Sequence, residues 1–195
     1  MTKLVCITGG IGSGKSVVRR VLSTMGYDVY DTDERAKTIM DASDVIKSRL
    51  VDVFGNDTVK NGIIDRRYLG SVVFNDKTQL QRLNEIVHPA VVNDVVNWRD
   101  VSRAPIVFVE TAIMYECGLD KYVDEVWKVT APVGVRIERV MKRNNVTAQE
   151  VRARIDSQNR RDCHTHNRVR VIINDGRHAI LPQINNLLAE LHAGT

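Results

Sequence analysis

The sequence predicts an α/β fold in which a parallel sheet is wrapped by helices. Short apolar runs rich in β-branched residues recur along the chain, and stretches of helical period separate them. One long stretch lacks any strand pattern and reads as a helical insertion. The 195 residues are enough for one domain with a substantial core. The composition, 43% hydrophobic and 27% charged, is that of an ordinary globular chain and excludes a disordered or collagen-like one. No apolar run approaches the roughly 18 residues that crossing a bilayer requires. The apolar start is broken by Gly9-Gly10, too early for a signal peptide. Three scattered cysteines, Cys6, Cys117 and Cys163, argue against a disulfide framework. A cytoplasmic location and no membrane partner are expected.

The elements follow in order. Residues 3–8 (KLVCIT) read as a buried strand ending at glycines. Residues 16–25 carry apolar side chains at 17, 18, 21, 22 and 25, a helical period that Gly26 ends. Residues 27–31 (YDVYD) alternate as a second strand, and 33–40 follow as a helix. Further strands are expected at 105–110 (PIVFVE), 125–130 (EVWKVT) and 169–173 (VRVII). Between Ser43 and Arg103 there is no convincing strand. Helical patterns lie near 43–53, 66–74, 76–87 and 89–101, with a turn at 54–58. Two Arg-rich helices are expected within 135–161, the second opened by a Thr147/Glu150 capping box. The expected organisation is a core of 1–42, 103–134 and 169–195, a helical insertion of 43–102 and a hairpin lid of 135–168.

The net charge of +4 is unevenly spread. Residues 136–170 hold ten Lys/Arg against four Asp/Glu. Such a block suits an anionic partner or a solvated helical face. With no RNP-like motif and no interleaved aromatics, nucleic acid is not the expected partner.

The strongest motif is Gly9-Gly10-Ile11-Gly12-Ser13-Gly14-Lys15-Ser16, a complete G-x-x-x-x-G-K-[ST] between an apolar strand and an amphipathic helix. Its glycines let the backbone curl so that N–H groups point at a phosphate, and the helix adds its positive end. Gly10, Gly12, Ser13, Gly14, Lys15, Ser16 and Val17 are the candidate nucleotide-binding residues. Lys15 supplies an ammonium for the β- and γ-phosphates, and Ser16 a hydroxyl for Mg²⁺. This defines a P-loop fold with ATP and Mg²⁺ as expected cofactors.

A GTPase would need N-K-x-D after a strand, and the sequence has none. A motor or helicase would be longer, with an apolar strand ending in Asp. Here the strand at 105–110 ends in Glu110. Small size, a helical insertion and an Arg-rich lid fit a kinase of small molecules, which must exclude water during transfer. Asp31-Thr32-Asp33 lies past the second strand, where such sheets bind ligands. Asp33 there is either a base or Mg²⁺ holder, or a helix N-cap.

These residues together resemble the dephospho-coenzyme A kinases. The resemblance covers residues 1 to about 190. It rests on GGIGSGKS at the N-terminus, Asp31-Thr32-Asp33 and His88-Pro89, on Tyr115-Glu116-Cys117-Gly118-Leu119, on Arg139 and Arg143 in RVMKR, on Arg154 and Gln158, and on Asn174 in VIINDG. It implies transfer of phosphate from ATP to the ribose 3′-hydroxyl of dephospho-coenzyme A. It further implies Asp33 as base and Lys15 and Arg139 as catalytic groups. Arg139, Arg143 and Asn174 would lie at the nucleotide, and Asp33, His88 and Glu116 at the acceptor. Departures are Val17 for Thr, Ala112-Ile113-Met114 for Pro-Leu-Leu, and Arg168-Val169 for Ala-Asp. The alternatives are another nucleoside- or nucleotide-type kinase, or a nucleotide-binding regulator without turnover. Cys163-His164-Thr165-His166 is too compact to wrap a tetrahedral ion unaided and is read as chance.

Overall fold

In the computed structural model, which describes residues 2–74, 76–159 and 166–193, strand and helix alternate from the start of the chain. β1 (Lys3–Thr8) leads through the glycine loop into α1 (Lys15–Thr24), and β2 (Val29–Asp31) runs directly into α2 (Thr32–Ala42). There follow α3 (Asp44–Phe54), β3 (Val59–Lys60), β4 (Ile63–Ile64), α4 (Arg66–Val73) and α5 (Lys77–Val101). The chain returns through β5 (Ile106–Glu110) and β6 (Glu125–Thr130) to the helix pair α6 (Val133–Asn144) and α7 (Ala148–Asn159). It closes with β7 (Val169–Ile173) and α8 (Ile180–Ala193). Two compact units result, Met1–Tyr30 with Arg99–Thr195, and Asp31–Trp98.

The larger unit is built on a sheet ordered β2–β5–β1–β6–β7, with β1 parallel to β5 and β6, and β6 parallel to β7. Leu4, Val5, Cys6 and Ile7 of β1 are completely buried, as expected for a central parallel strand covered on both faces. The strand order reverses at β1, so its carboxyl end is the switch point where such sheets leave a crevice. The glycine loop departs from that end. On one face Val5, Ile7, Phe108, Trp127, Val129 and Ile172 pack with Val18 and Leu22 of α1 and with Ile184, Leu188 and Leu191 of α8. Phe108 meets Tyr27 edge-on at 5.4 Å and Trp127 at 5.1 Å. The Trp127 indole donates to Oε1 of buried Glu125 at 2.8 Å, which gives the buried N–H its partner.

α6 and α7 form a hairpin with its own small core. Val140, Val151 and Ile155 are buried together, and Ile11 of the glycine loop packs against them. The expected capping box opens α7. Thr147 N donates to Glu150 Oε2 at 2.8 Å, and Glu150 N donates to Thr147 Oγ1 at 3.3 Å.

The smaller unit surrounds Ile46, Leu50 and Phe54, spaced four apart on α3, with Ile64, Leu69 and Ile86. α2 belongs to it, because Ile39 and Met40 pack on this cluster. Ser43, Asp65 and Asp76 cap the helices that follow them through their side-chain oxygens.

Two expectations for this region are corrected. The stretch is not free of strands, because Asn61-Gly62 closes an antiparallel hairpin of β3 and β4. Asn61 adopts φ 52 and Gly62 φ 77, the turn for which Asn-Gly is the strongest short-range signal. The helices expected at 76–87 and 89–101 are one helix, α5, with Pro89 inside it. Pro89 removes a single N–H bond toward residue 85. Ile86 and Val87 before it and Val91, Val92 and Val95 after it are buried, and this packing carries the helix through.

Phe108 joins the strand layer to two aromatic neighbours, and Phe108→Ala should cost about 3–5 kcal/mol. A lowered urea midpoint at unchanged slope checks this. An unchanged midpoint would show that the aromatic contacts carry no stability.

Candidate active site

The site grows from the turn between β1 and α1. Gly14 caps α1 in the left-handed region at φ 97, and a Cβ there would collide with Asn174 Nδ2. Gly12, at φ 77, faces α6 so closely that a Cβ would stand 2.6 Å from the Arg136 carbonyl oxygen. Both positions therefore need glycine for conformation and for space. Inside the loop, Ser13 N donates to Gly10 O at 3.1 Å and Lys15 Nζ to Gly9 O at 2.8 Å. Ser16, at the first turn of α1, is half-buried, and its hydroxyl makes no hydrogen bond among the described residues. Val17 follows it, 36% exposed.

Two arginines of α6 flank this loop. Arg139 donates to the Asn174 carbonyl oxygen at 3.0 Å and to Asn174 Oδ1 at 3.2 Å. Asn174 is buried and donates from Nδ2 to Ser13 O at 2.8 Å and from its backbone to Thr130 O at 2.8 Å. Arg139, Asn174, Ser13 and Gly14 thus form one connected cluster. On the Gly10–Gly12 side, Arg136 Nε donates to Ile11 O at 2.8 Å, and Ile11 N donates to Gln158 Oε1 at 2.8 Å. The hairpin therefore holds both sides of one loop residue. Arg143, a turn beyond Arg139, is exposed and bonds Asn144. The structure does not bring it into the Asn174 cluster.

Gly9, Gly10 and Ser13 border a cavity of about 630 Å³ shared with Glu116, Arg136 and Gln158. Glu116 is exposed there, on the segment after β5. Glu110, at the end of β5, pairs with Arg19 of α1 at 2.7 Å. Cys163 to Thr165 lie outside the described residues. Among the described residues no cluster of His, Cys, Asp and Glu could hold a metal.

Asp33 and His88 belong to the smaller unit. The N-cap of α2 is Asp31, whose Oδ1 accepts from Asp33 N at 3.0 Å and Glu34 N at 3.2 Å. Asp33 is not a cap. It stands in the first helical turn, exposed, and its carboxylate accepts no hydrogen bond among the described residues. The helix begins at Thr32, which puts the capping role on Asp31. His88 is half-buried, one residue before Pro89, and burial pushes its imidazole below the ordinary value.

Arg136 is the site residue that its sequence pattern did not single out. The signal available was its place three residues before Arg139, on a helix that follows directly from a strand end.

This is the fold and loop of a P-loop kinase. A model of the dephospho-CoA kinase (CoaE) family matches residues 3–179. A dephospho-CoA kinase of Porphyromonas gingivalis is 37% identical over 189 residues, 93% of this chain and 91% of the relative. One from Bacteroides fragilis is 36% identical over 187 residues, 95% and 91% of the two chains. Among solved structures, TT1252 from Thermus thermophilus superposes with a TM-score of 0.78 at 31% identity, covering 97% of this chain and 98% of that one. A Campylobacter jejuni dephospho-CoA kinase at 22% identity shares the fold with a TM-score of 0.73 over the full length of both chains. The chain belongs to the dephospho-CoA kinase family.

Two predictions follow from the smaller unit. Asp31→Ala should destabilise the protein by about 0.5–2 kcal/mol through loss of a cap, and Asp33→Ala should not. Thermal melts of the two variants check the difference, and equal losses would contradict the assignment of the cap. For His88, the folded state favours the neutral ring. Its stabilisation is complete above the unfolded value and is lost as pH falls through the lower folded value. Between about pH 7 and pH 5, His88→Gln should therefore lose less stability than the wild type, around the ordinary His value near 6.5. Parallel pH dependences in urea would show that His88 does not titrate on unfolding.

Proposed function

We propose that this chain transfers the γ-phosphoryl group of ATP to the ribose 3′-hydroxyl of dephospho-coenzyme A, giving coenzyme A and ADP. The observation that carries this reading is the complete GGIGSGKS loop, gripped on one side by Arg136 of α6 and on the other by Asn174 after β7, in a member of the dephospho-CoA kinase family. Backbone N–H groups from Gly12 to Val17, together with Gly10 and Ser13, cradle the phosphates. Lys15 offsets negative charge on the β- and γ-phosphates as transfer proceeds. Arg139 and Asn174 form the nucleotide's outer wall, and Arg143 reaches it when the hairpin closes.

The residues present fit Mg²⁺, a cation that takes oxygen ligands and keeps several waters. Ser16 offers an unengaged hydroxyl beside Lys15, and bound Mg²⁺ would neutralise charge between the phosphates.

Asp33 acts as the base. The 3′-oxygen bonds to the γ-phosphorus, the bond from that phosphorus to the bridging oxygen of ADP breaks, and the hydroxyl proton passes to the Asp33 carboxylate. That Asp31 alone caps α2 supports this role, since it leaves Asp33 without a structural task. His88 and Glu116 hold the acceptor. The enzyme works in the cytoplasm on small-molecule substrates. No described helix is long and apolar enough to cross a membrane.

A coupled assay of ADP release with dephospho-coenzyme A, adenosine and AMP tests the acceptor. Turnover should be confined to the first, and turnover of AMP or of none would defeat the reading. Lys15→Ala should lower turnover by at least about 100-fold in a folded protein. Asp33→Asn should keep its melting temperature and its ATP binding yet lose most phosphoryl transfer. An active, stable Asp33→Asn would remove Asp33 from the mechanism.

A further inference from the structure

The cavity beside Gly9 and Gly10 is lined by none of Gly12, Gly14, Lys15, Ser16, Arg139 or Asn174. It therefore borders the Gly9, Gly10 and Ser13 side of the loop and not its Lys15–Ser16 end. Its wall contains two buried polar atoms with no hydrogen-bond partner among the described residues, Ser13 Oγ and Arg136 Nη2. Arg136 is only 9% exposed. Its Nε is committed to Ile11 O, while Nη2 stands where a Cβ of Gly10 would be. A guanidinium stays charged in proteins even though burial lowers its proton affinity. A buried charged donor left unmet is among the costliest defects a fold can carry, and one in a native chain calls for a partner.

Among the described residues no other group of the cavity fills that need. Glu116, its carboxylate, is exposed and makes no ion pair with Arg136. His166 is committed at both ring nitrogens, to Val123 O at 2.9 Å and to the Arg168 backbone. A cationic wall with an unmet donor beside a phosphate loop calls for an anionic oxygen.

We propose that this cavity is a second phosphate subsite, in which Arg136 Nη2 donates to a phosphoryl oxygen while Nε keeps the loop in place. The identity of the ligand rests on the kinase reading above. The oxygen belongs either to the γ-phosphoryl group of ATP or to the diphosphate of the acceptor, and both present the same chemistry to Arg136.

The test is calorimetric titration of wild type, Arg136→Met and Arg136→Lys with four probes: ADP, a β,γ-imido analogue of ATP, dephospho-coenzyme A and adenosine. Arg136→Met loses the bond to Ile11 O as well, so it should weaken ADP and adenosine slightly and to the same small extent. It should bind one of the other two about tenfold more weakly or worse, the loss expected for a charged hydrogen bond. Loss confined to the ATP analogue assigns the subsite to the γ-phosphoryl group, and loss confined to dephospho-coenzyme A assigns it to the diphosphate. Arg136→Lys, which keeps a charge, should recover part of the loss. Equal weakening of all four probes would overturn the subsite and reduce Arg136 to a support for Ile11, and so would no weakening of any. If Arg136→Met does not melt cooperatively, Arg136→Lys is judged by the same pattern of selective, uniform or absent loss. Failure of the kinase reading looks different. A wild type that binds the ATP analogue but releases no ADP with dephospho-coenzyme A refutes that reading, while the comparison of ADP with the analogue still judges the subsite.

Discussion

The backbone from Gly9 to Ser16 is held in shape chiefly from outside. A loop that offers its N–H groups to a phosphate cannot spend them on bonds of its own. Its internal bonds are few, notably the Ser13–Gly10 turn and the reach of Lys15 to Gly9. The remaining support comes from far along the chain. Asn174 takes the Ser13 carbonyl, Arg136 takes the Ile11 carbonyl, and Gln158 takes the Ile11 N–H. Much of the larger unit serves this requirement. β1 anchors the start of the loop, β7 delivers Asn174, and the α6–α7 hairpin clasps the middle.

The same requirement ties the hairpin to the loop energetically. Its buried core is small, three residues, and Ile11 packs onto it. A hairpin with so little buried surface belongs to the low-stability end of a fold, where lids are found. Any opening of α6 and α7 must release Ile11 or carry it along. Hairpin position and loop shape are thus linked through one residue's backbone and side chain.

Much of this was legible in the sequence because the relevant patterns are local. The loop motif needs adjacent glycines, the central strands are continuous apolar runs, and the capping box spans four residues. The failures share a cause as well. Pro89 ordinarily ends a helix, and only the buried valines on either side of it, a property of packing, carry α5 through. The hairpin at Asn61-Gly62 has strands of two residues each, too short to show alternation, although its turn was readable. Assigning the cap to Asp31 rather than Asp33 turned on a shift of two residues, finer than helix periodicity resolves. Arg136 was hidden for a different reason. An arginine on an Arg-rich helix looks like its neighbours until the fold shows which one faces a loop 125 residues away.

Cys6 lies in the middle of β1, completely buried, and burial pushes its thiol far toward the protonated form. Cys117 is partly covered, and burial raises its thiol too. Among the described residues, then, the sulfur nearest in sequence to the phosphate loop is a filler of the sheet interior and not a reactive handle. Electrophilic compounds aimed at this nucleotide site would find no thiolate on β1 to capture. Around β1, selective inhibition would have to come from shape and reversible contacts, with Asn174 and the two flanking arginines as the polar features to match.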